Sequence, residues 1–260
     1  MTDERWRDAA TFDDGPFEVE LHASIGSTNE RARELAADGA ADVVVLADEQ
    51  TGGSGRLDRA WASPSGGVWM SVLSRPDLQL AAAPVLTLAA GVATVRAAEP
   101  VGVEATLKWP NDVLVPDAGD PGSGRTERKL AGILTEAAGD GDRVEWVIVG
   151  VGINANVDAD ALPPGATSIR EAVGDADRTE LVRRWLDAFD ELRTDPDAVL
   201  PAWREVSSTL GRRVRVTTSL GDVVGEAVDV EFPGRLVVDT GDDEVRVHAG
   251  DCEHLRPVDG

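Results

Sequence analysis

Two lysines stand in a chain of 260 residues that draws the rest of its positive charge from 23 arginines. Lys108 opens Lys108-Trp109-Pro110-Asn111-Asp112, and Lys129 opens Lys129-Leu130-Ala131-Gly132-Ile133-Leu134. Arginine is a broad planar fork, whereas lysine carries a compact charge on a flexible stem. A lysine therefore suits a single anionic oxygen, such as that of a phosphate or a developing oxyanion. Both lysines sit beside apolar strand-like runs, so two adjacent strands aim two ammonium groups at one anionic site. The plain alternative, two lysines surviving by chance on a surface, fits those apolar flanks less well.

A second cationic stretch runs Gln50-Thr51-Gly52-Gly53-Ser54-Gly55-Arg56-Leu57-Asp58-Arg59-Ala60-Trp61. Its glycines let backbone N–H groups approach an anion closely. Arg56 and Arg59 offer paired donors to phosphate or carboxylate, and Trp61 offers a face for a stacked base. No Gly-Lys-Ser/Thr ends the stretch and no helix pattern follows, which excludes a P-loop. A floppy surface loop is the simpler reading of the glycines, and the cations and Trp61 directly after them weigh against it. Ser27 and Glu30 form a capping box, with Thr28 and Asn29 between them. Their polar groups are caps alone or face a ligand at a helix N-terminus. Gly150-Val151-Gly152-Ile153-Asn154 thins a strand, as happens where a ligand or another backbone comes close. Without a third glycine and a helix it is no dinucleotide fingerprint. Asn154 is a turn former or a reader of an adenine edge.

The elements that must position these groups follow from periodicity. Residues 17–22, 43–47 and 67–73 have strand patterns, as do 105–109, 112–115, 129–136 and 145–153. Helices are predicted over 29–38, stopped by Gly39, and over 81–98, with Pro84 in its first turn. Residues 179–193 carry Leu181, Val182, Trp185, Leu186, Phe189 and Leu192 at helical spacing, and a further helix covers 196–208. Residues 116–128 are predicted to be a mobile loop and 157–168 a Pro/Gly-rich connection. Short strands over 213–218, 223–230, 236–240 and 244–248 predict a small β-barrel in 209–260. The division expected is a frayed start at 1–16, a main domain at 17–208 and that barrel.

Composition narrows the function. The chain is 42% hydrophobic, enough for a sizeable core. No apolar run is expected to approach the ~20 residues of a membrane span, and the acidic start has no signal pattern, so a cytoplasmic protein is expected. The single Cys252 excludes an internal disulfide and a Cys-based zinc site, and His22, His248 and His254 lack metal-ligand spacing. A net charge of −23 with no basic patch argues against nucleic acid as a partner. Dispersed acids with almost no lysine predict adaptation to high salt, where screening shortens to about 3 Å at 1 M.

Taken together, these motifs resemble the biotin–protein ligases from about Phe17 to Pro257. Ser27-Thr28-Asn29 matches the family's Ser-Thr-Asn. Gln50 to Trp61 resembles its Gln-x-x-Gly-Arg-Gly-Arg-x-x-Arg-x-Trp loop, and Lys108–Asp112 is its unchanged Lys-Trp-Pro-Asn-Asp block. Lys129–Leu134 and Gly150–Asn154 match the remaining two blocks. Ser54 replaces a family Arg that helps to retain the adenylate, and Asp58 replaces a family Gly.

The resemblance implies an α+β fold, a mixed, largely antiparallel sheet backed by helices and followed by a small SH3-like β-barrel. It implies ATP-dependent formation of biotinyl-5′-adenylate, then transfer of biotin to a lysine of a carboxylase's biotin carboxyl carrier domain. ATP and biotin are substrates, and Mg²⁺ rides on the ATP phosphates with no certain protein ligand. The implied catalytic residues are Lys129, Arg56 and Lys108. The implied biotin pocket takes Ser27, Thr28, Asn29, Gln50, Gly53, Ser54, Gly55, Arg56, Lys129, Gly132, Gly150 and Gly152. The implied nucleotide region takes Arg56, Arg59, Trp61, Lys108, Asn111, Asp112 and Asn154. The family's optional DNA-binding domain is not matched, so repressor activity is not expected, and a homodimer is left open. Two alternatives remain at this point, a lipoate–protein ligase and a non-catalytic biotin or adenylate binder.

Overall fold

The structure is a computed structural model that describes residues 12, 15–117 and 127–255. The start expected to be frayed lies almost wholly outside the described residues, as does most of the loop expected at 116–128. A seven-stranded sheet forms the frame: β1 (Glu18–His22), β2 (Val43–Ala47), β3 (Val68–Ser74), β4 (Thr106–Lys108), β5 (Asp112–Pro116), β6 (Glu127–Asp140) and β7 (Arg143–Ile153). Their order is β1-β2-β3-β7-β6-β5-β4. Only the β1–β2 pair is parallel, so the sheet is mixed and largely antiparallel.

Side-chain alternation gives the two faces different tasks. Val68, Met70 and Val72 of β3, and Val147, Val149, Val151 and Ile153 of β7, join the large core. Against that face lies α2 (Val85–Ala98), itself packed on α4 (Arg178–Thr194) and α5 (Pro196–Glu205). The alanines and Gly91 of α2 allow this close approach; a Cβ on Gly91 would stand 3.2 Å from Leu107 Cδ2. The helical stretch Leu80–Val101, 22 residues, reaches spanning length and apolarity after all, which corrects the expectation of no such run. It is mostly buried inside the protein, so its apolar surface is spent on the core.

The opposite face carries α1 (Thr28–Ala37), capped by Ser27 as the capping box predicts. Ala32 and Ala36 of α1 pack on Val45, Leu73 and Ile148. On this face the register lines up Trp69, Gly152 and Gly132, then Ser71, Gly150 and Leu134, then Leu73, Ile148 and Glu136. The glycines fall just beyond the N-terminus of α1 and leave a hollow there.

The segment from β8 (Arg213–Thr218) to β12 (Asp251–His254) forms a five-stranded antiparallel sheet, ordered β11-β10-β9-β8-β12. It also contains β9 (Gly221–Glu231), β10 (Arg235–Asp239) and β11 (Glu244–Val247). Its fifth strand, β12, is absent from the sequence prediction because it is four residues long with a charged alternation. The sheet is fastened to the main frame through Trp109, whose backbone N–H donates to Thr209 Oγ1 at 2.9 Å and whose indole N–H donates to Gly234 O at 2.9 Å. A short helix, α3 (Ile169–Val173), follows the expected connection and is absent from the sequence prediction. Its signal was present as Ser168 with Glu171 three residues on, and Ser168 Oγ accepts from Glu171 N at 3.2 Å.

Candidate active site

The hollow beyond α1 is a cavity of about 500 Å³. One end is built from α1 and the strands beneath it. Thr28 N and Thr28 Oγ1 donate to Gln50 Oε1 at 2.8 and 3.0 Å, and Gln50 Nε2 donates to Ser63 Oγ at 3.0 Å. Ser27, Thr28, Asn29, Gln50 and Met70 line this end. Gly150 lines it as well, but a Cβ there would overlap Asn29 Oδ1, so the glycine makes room for a side chain of α1.

The glycine-rich stretch folds back on itself and roofs the cavity. Gln50 N donates to Ser63 O at 3.0 Å, Trp61 N to Gly53 O at 2.8 Å and Gly55 N to Arg59 O at 2.7 Å. Gly53 does not line the cavity, contrary to expectation. A Cβ there would stand 2.6 Å from both Ser63 Oγ and Trp61 O, so its role is to let the hairpin close. Leu57 at the tip has φ 57° and is 70% exposed, a left-handed backbone that costs a branched side chain some strain. Ser54 lines the cavity, with its hydroxyl 3.4 Å from Gly52 O.

Trp61 lies flat on the cross-strand pair Gly132 and Gly152. A Cβ on Gly132 would meet the indole at 3.1 Å, and one on Gly152 would overlap Trp61 Nε1. These two glycines line the cavity and also seat the indole, a second role the sequence reading does not give them. Lys129 Nζ sits 4.9 Å over the same ring and 2.5 Å from Asp112 Oδ1. Its stem leaves β6 beside a bulge that shifts the β5–β6 register between Val113 and Leu114.

The other cations are pinned from two directions. Arg56 donates to Asn111 Oδ1 at 3.2 Å and to Gly250 O at 3.0 Å, and its burial pushes the guanidinium pKa down against the pull of Asp251 and Asp112. Asn111 Nδ2 donates to Ile133 O at 2.7 Å, so this amide positions Arg56. Arg59 donates to Asp251 Oδ2 at 2.6 Å, and that hydrogen bond holds the Asp251 carboxyl below its ordinary range. Gly250 and Asp251, which line the cavity from the five-stranded sheet, were not foreseen; no local signal marks a residue so far along the chain. Lys108 is not on the cavity wall, which corrects its expected place. Strand alternation puts it opposite the buried Leu107, where its charge acts on Asp251 and Cys252.

The far wall is the Leu162–Ala166 segment, read from sequence only as a connection. It is held by Lys129 N donating to Gly165 O and Thr167 N donating to Lys129 O, each at 2.9 Å. Asn154 Nδ2 donates to Thr167 O at 2.9 Å, while Asn154 Oδ1 is buried without a partner among the described residues. Trp61 Nε1 is likewise unpartnered. Both atoms belong to residues that line the cavity.

The model of the Biotin/lipoate A/B protein ligase family matches residues 22–154, and that of the Biotin protein ligase C terminal domain matches residues 209–255. The chain is 36% identical to the biotin–[acetyl-CoA-carboxylase] ligase of Mycobacterium tuberculosis over 92% of this chain and 90% of that one. It is 35% identical to the bifunctional ligase/repressor BirA of Bacillus subtilis over 89% of this chain and 72% of that one. The biotin protein ligase of Aquifex aeolicus, solved with biotin and ATP, superposes with a TM-score of 0.74 at 26% identity, covering 92% of this chain and 98% of that one. The chain belongs to the biotin protein ligases.

Proposed function

We propose that this protein activates biotin with ATP and passes it to a lysine of a carboxylase's biotin carboxyl carrier domain. The observation that carries the reading is one cavity with hydrogen-bonding α1 groups at one end and Lys129, Arg56 and Arg59 at the other. In the first step a biotin carboxylate oxygen bonds to the α-phosphorus and the bond to pyrophosphate breaks. Two anions must meet there, so the positive groups lower the barrier by offsetting the crowded charge. Lys129 supports this role because it is a compact cation that can leave Asp112 for an arriving oxygen. Arg56 stands beside it as a clamp, Arg59 as a second phosphate contact, and Lys108 adds charge from behind the wall. Asn154 Oδ1 suits an adenine amino group, and Trp61 offers an indole beside it. Mg²⁺ is proposed to travel on the ATP phosphates; among the described residues no cluster of three or more His, Cys, Asp or Glu is placed for a metal.

In the second step a lysine amine of the carrier bonds to the acyl carbon, the acyl–phosphate bond breaks and AMP leaves. The amine's proton goes to solvent or to AMP. The proposed compartment is the cytoplasm. The test is incubation with biotin, Mg-ATP and a carrier domain, read by carrier mass. One added biotinyl group supports the proposal. An unlabelled carrier with retained biotin binding points to a binding protein, and pyrophosphate exchange with lipoate alone points to lipoate ligation.

A further inference from the structure

The Leu162–Ala166 wall of the cavity is shaped by a tight turn. Ala166 N donates to Pro163 O at 3.0 Å, and Gly165 takes the left-handed third position with φ 87°. The turn meets β6 through its main-chain bonds to Lys129 and a parallel bridge between Lys129 and Ala166.

Two side chains that do not line the cavity complete the attachment. Arg128, the neighbour of Lys129, donates through Nε and Nη2 to Ala166 O at 3.1 and 2.6 Å. Its Nη1 and Nη2 donate to Glu171 Oε1 and Oε2 at 2.5 and 2.9 Å. The guanidinium therefore holds a wall carbonyl in one fork and a carboxylate in the other. Glu171 stands in the first turn of α3 and also accepts from Thr167 Oγ1 at 3.1 Å. Thr167 thus lies between the two grips, and its carbonyl is the one that accepts from Asn154 Nδ2 at 2.9 Å.

The ion pair is about a quarter to a third exposed, so its charge alone contributes little. What arginine adds is a rigid double fork that fixes the carbonyl relative to the carboxylate; a lysine reaches one of them at a time. We infer that Arg128 is a positioning residue for the nucleotide: with Glu171 it fixes the Leu162–Ala166 wall and the Thr167 carbonyl that orients Asn154. The inference rests on the proposed placement of adenine beside Asn154. Without the fork the turn keeps its main-chain bonds to Lys129, but its outer side is free to lean away from the cavity. Biotin, placed at the α1 end, is held by groups that Arg128 and Glu171 do not touch.

The experiment measures biotin-dependent pyrophosphate-exchange kinetics, titrating ATP and biotin separately, for the parent, Arg128→Ala, Arg128→Lys and Glu171→Ala. Loss of hydrogen bonds from a charged group predicts that Arg128→Ala raises the KM for ATP about tenfold, with the KM for biotin and kcat within about threefold. Arg128→Lys should resemble Arg128→Ala, because it restores the charge without the fork. Glu171→Ala should raise the KM for ATP in the same direction, and it carries the expectation alone should Arg128→Ala fail to fold. An active parent whose KM for ATP is unchanged in Arg128→Ala would overturn the inference and leave the proposed function standing. So would a KM for biotin that rises as much as that for ATP, which marks general loosening. A fall in kcat at unchanged KM would show that Arg128 acts through Lys129 instead, and parent-like kinetics in Arg128→Lys would show that charge suffices; either result counts against the clamp. A parent with no biotin-dependent exchange would overturn the proposed function, and this inference with it.

Discussion

Lys129 Nζ stands 2.5 Å from Asp112 Oδ1, so the ammonium at the centre of the site is already paired with an internal carboxylate. The pair is about a quarter to a third exposed, and an ion pair open to solvent is weak enough for an arriving anion to displace. Asp112 and the Trp61 ring together hold the cation in reserve at a defined spot.

From this follows the effect of Lys129→Arg. A guanidinium is wider than an ammonium and cannot take the same place between Asp112, Trp61 and an incoming oxygen. Adenylation should fall by at least about a hundredfold, as for loss of a preorganised charge contact, while biotin binding survives. ATP–pyrophosphate exchange and biotin titration measure the two, and near-parent exchange would remove Lys129 from its central role.

Gly152→Ala inserts a methyl where Trp61 Nε1 lies. Overpacking of this kind costs about 1–3 kcal/mol, and here the indole can relieve it only by lifting off the sheet. The expected outcome is a lowered melting temperature together with faster trypsin cleavage at Arg56 and Arg59. Unchanged cleavage would mean that the roof does not depend on this seat.

Asp48 and Arg178 form a buried pair at 2.6 Å, both under a tenth exposed, just ahead of the glycine-rich stretch. Asp48→Ala removes this carboxylate from the buried guanidinium, which still donates to Gly67 O. Breaking such a pair costs about 3–5 kcal/mol, so a large drop in the urea midpoint is expected. A drop equivalent to less than about 1 kcal/mol would show that Arg178 is satisfied without Asp48.

Ser54→Arg restores a charge on the cavity wall. A hydrogen bond to a charged group is worth about 1.5–3 kcal/mol, so release of preloaded biotinyl-adenylate should slow by about ten- to a hundredfold. Dissociation of radiolabelled adenylate at matched KCl gives the answer. Equal off-rates in the two proteins would make Ser54 neutral.

The net charge of −23 predicts a melting temperature that rises with KCl as repulsion is screened. Differential scanning from dilute buffer to about 2 M KCl follows this, at a screening length near 3 Å or less. A melting temperature already maximal in dilute buffer would count against a high-salt habitat.

Most of the elements were legible because their signals are local. Ser27 caps α1 through its own helix, the stripe from Leu181 to Leu192 repeats every turn, and Val43–Ala47 is an unbroken apolar run. The motif residues were legible by type, and most of them do meet in one cavity. Their roles were less so. Gly53, Gly132, Gly150 and Gly152 look like bare backbone for a ligand, yet each yields space to another side chain of the protein.

What the sequence by itself determined is therefore most of the elements, the cations and the family, all encoded in runs of a few neighbouring residues. Only the tertiary structure decided that Trp61 lies on Gly132 and Gly152, that Asp112 holds Lys129, and that Gly250 and Asp251 come back to hold Arg56 and Arg59. The physical reason is that these contacts depend on strand register and on the docking of the second sheet. A carboxylate that will pair with a site cation carries no local mark among 48 acidic residues; only its position in the folded chain distinguishes it.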